Sequence, residues 1–410
     1  MTQRTAWTAE TAERVFRDFI TTHFVSANQY DRIAAESGGA LPARATLCKL
    51  TGKSWSELVT GQLSNVNSKT TTSALLIQNK QLLSKLHSQE QTLQLFLDNC
   101  TSSIQKLNIK PVSIPTKVKS NEDLEMHALR SDDHCGSKLT LAATQGLSGY
   151  DAATYKRRLH KWVEKILLFK NQDQMPLGLN KLIIYFLGDI VTGENIYRGQ
   201  SFALDLFLTE QLFYALELNV NVILGLAAEF NKVEIFAVQG NHGRPSEKGS
   251  NHYLTNFDYI LYRIMQLMLR PQTNVKMYVS ESPEMVVRNG DFNFHLSHGE
   301  HVRSYSGTPY YGMDRKYRKL SGLYNMIIDY QLQGHFHSPA QLSEHIIVNG
   351  SMVGGDDLSI NQLSVATLPS QKLFYFHQKH GINRMSDLFL DTKPSLKVDD
   401  LSGVYTPHVK

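Results

Sequence analysis

Five stretches of the chain share one pattern: a short apolar run that breaks abruptly into a turn of Asp, His or Asn. Leu124 to Leu129 runs into Asp132-Asp133-His134-Cys135-Gly136, and Leu182 to Leu187 into Gly188-Asp189. Val233 to Val238 runs into Gly240-Asn241-His242-Gly243, Phe292 to Leu296 into His298-Gly299-Glu300-His301, and Tyr324 to Leu332 into Gln333-Gly334-His335-Phe336-His337. Short apolar runs that close on turn residues predict buried strands. Between them the period changes: Leu159, Trp162, Val163, Ile166 and Leu167 mark a helix over Ala152 to Phe169, and a second helix is predicted from about Phe202 to Phe230. Lys372 to Phe376 reads as a closing strand. Strands alternating with helices predict an α/β domain over residues 121–410.

Upstream, the pattern is helical throughout. Val15, Phe16, Phe19, Ile20 and Phe24 make an amphipathic helix of Ala9 to Phe24, and a second runs from Tyr30 to Ser37, where Gly38-Gly39 stops it. A third passes through Thr46, Leu47 and Leu50 to Gly52, and Ser54 caps the start of a fourth at Trp55. Residues 1–64 are therefore expected to be all-α. The polar stretch Ser64 to Ser73 reads as a linker into a long helix with Leu76, Leu83, Leu86, Leu93 and Leu97 on one seam. That seam, within residues 65–120, suits homo-oligomerisation through the 75–100 helix or packing along its own chain. Pro111 and Pro115 mark the boundary with the α/β region.

Composition sharpens this picture at three points. The 410 residues and the usual domain size allow two or three domains. No apolar run approaches the ~20 residues of a membrane-spanning helix, and the three widely spaced cysteines suit a reducing cytosol rather than a disulfide framework. The net charge of +4 is unevenly placed: residues 1–120 hold fourteen Lys and Arg against eight Asp and Glu, the remainder twenty-eight against thirty. A basic N-terminal region can approach a polyanion, and it also suits an ordinary solvated surface.

Asp, His and Asn together form a mixed oxygen and nitrogen donor set, suited to Mn²⁺, Fe, Zn²⁺, Ni²⁺ or Mg²⁺, and the lack of paired cysteines argues against a structural zinc site. The ordered series D-x-H, G-D, G-N-H, lone His and G-H-x-H resembles the calcineurin-like metallophosphoesterases. It resembles in particular the bacteriophage-encoded and small DNA-repair members, with which it shares the Gly240-Asn241-His242-Gly243-Arg244 turn. The resemblance implies two mixed sheets packed face to face with helices outside, and two divalent ions, Mn²⁺ foremost. It assigns Asp132, His134, Asp189 and His337 to one ion and Asp189, Asn241, His298 and His335 to the other. Asp189 would be the bridge, and a metal-bridging hydroxide the nucleophile. It implies that His242 is catalytic, stabilising the transition state and protonating the leaving oxygen, which suits an imidazole. Ser297 departs from the family, which often has Gly there.

Members of that family act on phosphoproteins, cyclic nucleotides, nucleotide polyphosphates and nucleic acids. Three features tilt the expectation toward a DNA or RNA nuclease: the phage-type resemblance, the basic N-terminus, and Tyr310 to Lys319, which interleaves tyrosines with Arg315, Lys316, Arg318 and Lys319. A solvated helix face with tyrosines packed inward explains that last stretch equally well. Arg244 is expected to grip a phosphate oxygen, Arg303, Arg315 and Lys316 to contact substrate, and His301 to support the site. Residues 30–59, with Pro42, Gly52, Ser54-Trp55 and Leu58, resemble the helical repeat associated with homing endonucleases, although Lys53 intrudes between Gly and Ser-Trp. A generic helical bundle with a buried Trp explains them too. The expected location is the cytoplasm of a bacterial or phage-infected cell. The alternative function is a small-molecule or cyclic-nucleotide phosphodiesterase or phosphatase.

Overall fold

The sequence patterns above can be placed in a computed structural model of the chain. It describes residues 7–22, 27–37, 40–63, 110–115, 124–355 (apart from 145, 247, 250–251 and 304–308) and 367–392, with single positions between 80 and 104. The predicted linker and leucine-seam helix fall almost entirely outside these residues. The chain divides into two compact units, residues 1–98 and 99–410.

In the first unit, α1 (Ala9–Thr22), α2 (Ala27–Glu36), α3 (Arg44–Thr51) and α4 (Trp55–Leu63) bury Phe16, Tyr30, Leu47 and Leu58 together. Local chemistry sets the helix ends. Gly52 adopts φ 70° and closes α3, a conformation that costs glycine nothing. Ser54 Oγ accepts from Glu57 N, while Ser54 N donates to the Glu57 carboxylate at 2.7 Å, a reciprocal cap that starts α4. Trp55 packs against Phe16 and Tyr30 with ring centroids 5.3 and 5.0 Å apart. Arg44 pairs with Asp31 and Lys53 with Glu13, so part of the local basic excess is neutralised within the unit.

The second unit is a mixed α/β structure with two sheets. The larger has the order β11-β10-β1-β2-β3-β4. Its parallel centre is β1 (Leu124–Arg130), β2 (Lys181–Phe186), β3 (Lys232–Ala237) and β4 (Val275–Val279); β10 (Ser370–His377) runs antiparallel to β1, and β11 (Gly381–Phe389) antiparallel to β10. The smaller sheet, in the order β5-β6-β7-β9-β8, comprises β5 (Glu284–Asn289), β6 (Phe292–Ser297), β7 (Tyr330–Gln333), β8 (Ala340–Leu342) and β9 (Ile346–Val348). Within it β6, β7 and β9 are parallel. Leu129, Tyr185, Leu187 and Phe374 of the first sheet meet Phe294, Leu296, Leu332 and Ile347 of the second in one buried core.

Helices cover the outside. The side chains of α5 (Ala152–Leu177) bury Tyr155, Leu159, Trp162 and Ile166, and Arg130 of β1 lies over the Trp162 ring, its guanidinium carbon 5.0 Å from the centroid. Helix α6 (Leu208–Ala227) packs on β3, α7 (Phe257–Met268) on β4, and α8 (Pro309–Tyr324) on β9. The segment before β1 is pinned here as well: Val112 N donates to Gln272 Oε1 at 2.8 Å, and Asn231 Nδ2 to the Pro115 carbonyl at 2.8 Å. No helix among the described residues is long and apolar enough to cross a membrane.

Two expectations need correction. The apolar run from Tyr324 to Leu332 is not one strand: Tyr324 ends α8, Met326 and Ile327 are exposed, and only Tyr330–Gln333 pairs as β7. The predicted helix over Phe202 to Phe230 starts later. Gln200–Ala203 is a single 3₁₀ turn and α6 begins at Leu208, because Phe207 takes an extended backbone at the N-cap and its N–H donates to Glu210 at 2.9 Å.

Candidate metal centre

The C-terminal ends of β1, β2 and β3 in one sheet and of β6 and β7 in the other open onto a shared set of loops, and those loops carry the polar turns. Among the described residues, three groups of side chains place ligand atoms within 4.8 Å of one another: Asp132, His134 and His337; His134, Asp189 and His242; and Asp189, His298 and His335. Asp189 and His134 each belong to two of them. Asp189 Oδ2 is 2.9 Å from His298 Nε2 and 4.0 Å from His134 Nε2; His134 Nε2 is 3.0 Å from His337 Nε2, and His335 Nδ1 is 3.3 Å from His298 Nε2.

The backbone at these positions is unusual. Asp132, His134, Asp189, His335 and His337 all have φ between 46° and 72°, a left-handed conformation that costs a residue with a Cβ about 1–3 kcal/mol. Among the other described residues that carry a Cβ, only Asn325 and Ser343 share it. Space is equally tight. A Cβ on Gly240 would lie 2.1 Å from Asp189 Oδ1, and one on Gly334 would lie 2.5 Å from Asp132 Oδ2, so both loops approach the carboxylates as bare backbone.

A shell of hydrogen bonds holds the carboxylates and imidazoles in place. Asp132 accepts from His335 N through both oxygens at 3.0 Å and from Ser131 Oγ at 2.5 Å. Asp189 Oδ1 accepts from His242 N at 2.7 Å. His298 Nδ1 faces the Leu187 carbonyl at 2.7 Å and His242 Nδ1 the Thr192 carbonyl at 2.9 Å. A carbonyl can only accept, so each Nδ1 carries the proton and each Nε2 is left for the site.

Ionisation follows from the same contacts. Burial, His242 and His337 together lower His134 to about 3, and burial and His298 lower His335 to about 4. Both imidazoles are therefore held in the neutral form. Burial works against charge on Asp189, yet His298, His242 and His134 hold its carboxyl well below the usual range. Burial likewise opposes charge on His298, but Asp189 raises it well above the ordinary histidine value.

These side chains could hold divalent cations. Asn241 Oδ1 is buried without a hydrogen-bond partner among the described residues, an orphaned acceptor of the kind a cation satisfies, and the imidazole nitrogens of His134 and His337 face each other as two donors to one ion would. Oxygen and nitrogen donors together suit Mn²⁺, Fe, Zn²⁺ or Ni²⁺, and the donor types alone do not choose among them.

Asp133 turns away from the centre and is spent elsewhere. Buried with Arg130, it accepts from Arg130 Nε at 2.7 Å and from Tyr155 Oη at 3.2 Å. Cys135 is fully buried, its thiol pushed well above the ordinary value by burial, and acts as packing. Arg244 is half-buried with Nε unpartnered among the described residues. Arg303 and Arg315 are exposed, His301 pairs with Glu300 at 3.3 Å, and Lys316 forms an ion pair with Glu284.

Sequence reasoning did not reach Asp258. Its carboxylate, on the first turn of α7, accepts from Asp189 N at 2.8 Å, Ile190 N at 3.0 Å, Val191 N at 3.2 Å and Gly240 N at 3.0 Å. Burial and the neighbouring Asp189 push it up to about 7, while the amide donors pull the other way. The signal at hand was Asn256, a readable N-cap whose Oδ1 accepts from Asp258 N at 2.8 Å; nothing in the sequence said that Asp258 faces inward.

No family model and no curated protein matches the chain. Among solved structures it is similar to a Vps29 single mutant from Entamoeba histolytica, at 12% identity and a TM-score of 0.24 over 64% of this chain and 98% of that one. It is also similar to the hypothetical protein PH1004 from Pyrococcus horikoshii OT3, at 13% identity and a TM-score of 0.30 over 65% and 89%. The chemistry of the centre stands on its own residues.

Proposed function

We propose that this chain is a two-metal phosphodiesterase of the calcineurin-like type, and within that class a nuclease. The observation that carries the reading is Asp189, a carboxylate shared by two groups of imidazoles, with its own backbone and those of His134 and His335 held in a strained conformation. One ion would sit with Asp132, His134, Asp189 and His337, the other with Asp189, Asn241, His298 and His335. Bound divalent ions would supply positive charge against the repulsion between an anionic diester and an incoming oxygen, and would lower the pKa of water.

The protein's own residues do the rest. His242, with Nδ1 fixed on the Thr192 carbonyl, presents Nε2 to hold a proton for the leaving oxygen. Its ring is 4.6 Å from that of His134, centroid to centroid, and it shares a group with His134 and Asp189. Arg244, next along the same turn, can grip a phosphate oxygen with its planar fork.

Support for a polymer substrate comes from α8. Tyr310, Tyr311, Arg315, Arg318 and Lys319 are exposed on α8, while Met313 and Leu320 anchor it. Lys316, tied to Glu284, positions the helix rather than meeting phosphate.

The test is a substrate panel with Mn²⁺: labelled single- and double-stranded DNA, RNA, and bis-p-nitrophenyl phosphate, alongside metal analysis of the purified protein. Cleavage of DNA or RNA is expected. Cleavage of the small diester alone would replace the nuclease with a small-molecule phosphodiesterase, and no hydrolysis with full metal occupancy would leave a binding or scaffolding protein.

A further inference from the structure

Beside His242 lies an aromatic ring that the chemistry above does not use. Tyr197, in the segment after β2, has its ring centroid 6.4 Å from that of His242 with the planes at 76°, on a residue 57% exposed. Tyr197 thus borders His242 while presenting much of its surface to solvent.

The segment is framed rather than loose. Gln200, almost fully buried, accepts from Ile196 N at 2.8 Å and donates Nε2 to the Thr192 carbonyl at 2.7 Å, the same carbonyl that faces His242 Nδ1. Buried Gln211 clamps Gly193 from both sides, accepting from its N–H and donating to its carbonyl, each at 3.0 Å. A Cβ on Gly193 would fall 2.3 Å from the His242 carbonyl, so this segment and the His242 turn pass in direct contact. Two glutamines therefore fix the backbone that carries this exposed ring beside the imidazole, which lowers the cost of ordering the segment around a ligand.

We infer that Tyr197 is the stacking wall for the leaving group, and that the substrate is a phosphodiester whose leaving alcohol is a nucleoside with its base laid on this ring. The inference rests on the reading of His242 as the donor to the leaving oxygen, which puts the departing group on the Tyr197 side. A phenol ring accepts any base on its face, so the wall selects for a flat heterocycle and not for a particular base.

The experiment uses the full chain and Tyr197→Ala and Tyr197→Phe, with three ligands: dithymidine phosphate and its two single-abasic counterparts, lacking the base on one side or the other. Binding is measured by calorimetry without added metal, and hydrolysis separately with Mn²⁺. Wild type should bind dithymidine phosphate about 10-fold tighter than one of the two abasic ligands, the order expected for one base on one ring. Tyr197→Ala should erase that preference and Tyr197→Phe should keep it, with unchanged thermal unfolding in both. Equal binding of all three ligands by wild type, or a preference that survives Tyr197→Ala, would overturn the inference. Discrimination in binding with no hydrolysis would keep this wall and overturn the catalytic reading, while hydrolysis without discrimination would do the reverse.

Discussion

Two buried clusters of histidine and acid sit at opposite ends of the same strands and are built on different terms. Toward the N-terminal ends, Glu125 accepts from Lys181 Nζ at 2.7 Å, Asn289 Nδ2 at 2.5 Å and Gln378 Nε2 at 2.7 Å, with His127 Nε2 at 3.2 Å. His127 completes itself on Tyr185 Oη at 3.1 Å, and Lys181 also pairs with Glu234 at 2.9 Å. None of these residues has a positive φ, and none holds an orphaned side-chain atom among those described. Beyond the C-terminal ends, five residues are strained, Asn241 Oδ1 has no partner among the described residues, and imidazole nitrogens face one another. The residue types are alike. A polar cluster that closes on itself stabilises the fold, whereas one left open and held under strain is arranged for something the chain does not itself contain.

The sharpest break in that comparison would come from His242. Replacement by Asn should lower turnover of bis-p-nitrophenyl phosphate by about 10²–10⁴-fold, the usual contribution of a positioned proton donor, with metal content unchanged. Loss of metal along with activity would make His242 a ligand, since it lies within ligand reach of His134 and Asp189.

At the other end, Glu125→Ala leaves Asn289 Nδ2 and Gln378 Nε2 without their acceptor while Lys181 keeps Glu234, and losing these hydrogen bonds to a buried charge should cost about 3 kcal/mol in chemical denaturation. Metal affinity of the folded protein should not change; if it did, the two clusters would not be independent. Asp189→Ala should instead weaken metal binding in calorimetric titration by more than about 100-fold, given that losing only an outer partner of a ligand costs about 10–100-fold. Retention of two ions would remove Asp189 from its shared position.

The smallest effect concerns Glu284, which ties α8 to the second sheet. Burial alone would raise its carboxyl, but His295 and Lys316 hold it down to about 2. Because this pKa is depressed on folding, the contribution is complete above the ordinary carboxyl range and fades as pH falls from there toward 2. It amounts to on the order of 2 kcal/mol. Glu284→Gln should flatten that acid limb of the stability curve, and an unaltered limb would show that the contact is not felt.

The strand ends were legible because their apolar runs are long enough to read and the polar residues follow at once, as in Leu182 to Leu187 before Gly188-Asp189. The capped helices around Gly52 and Ser54 were legible for the same local reason. Tertiary placement was not. Glu125 and His127 sit inside a strand that reads as hydrophobic, and only the fold brings Lys181, Asn289 and Gln378 to them. The strands Ala340–Leu342 and Ile346–Val348 are too short to show a period, and the run before Gln333 misled because helix end, turn and strand each contribute apolar residues there, Tyr324, Met326 to Ile328, and Tyr330 and Leu332. Tyr197 and the Thr192 carbonyl carry no motif at all.

Asp258 has a consequence for how such a molecule can change. One carboxylate fastens the turn after β2 to the turn after β3 through four amides, so neither turn can gain or lose a residue without tearing both from their shared anchor. Variation is thereby steered into the long excursion that follows Thr192, which leaves the anchored turns before returning to α6. That excursion can change in length and sequence while the anchored turns keep their spacing.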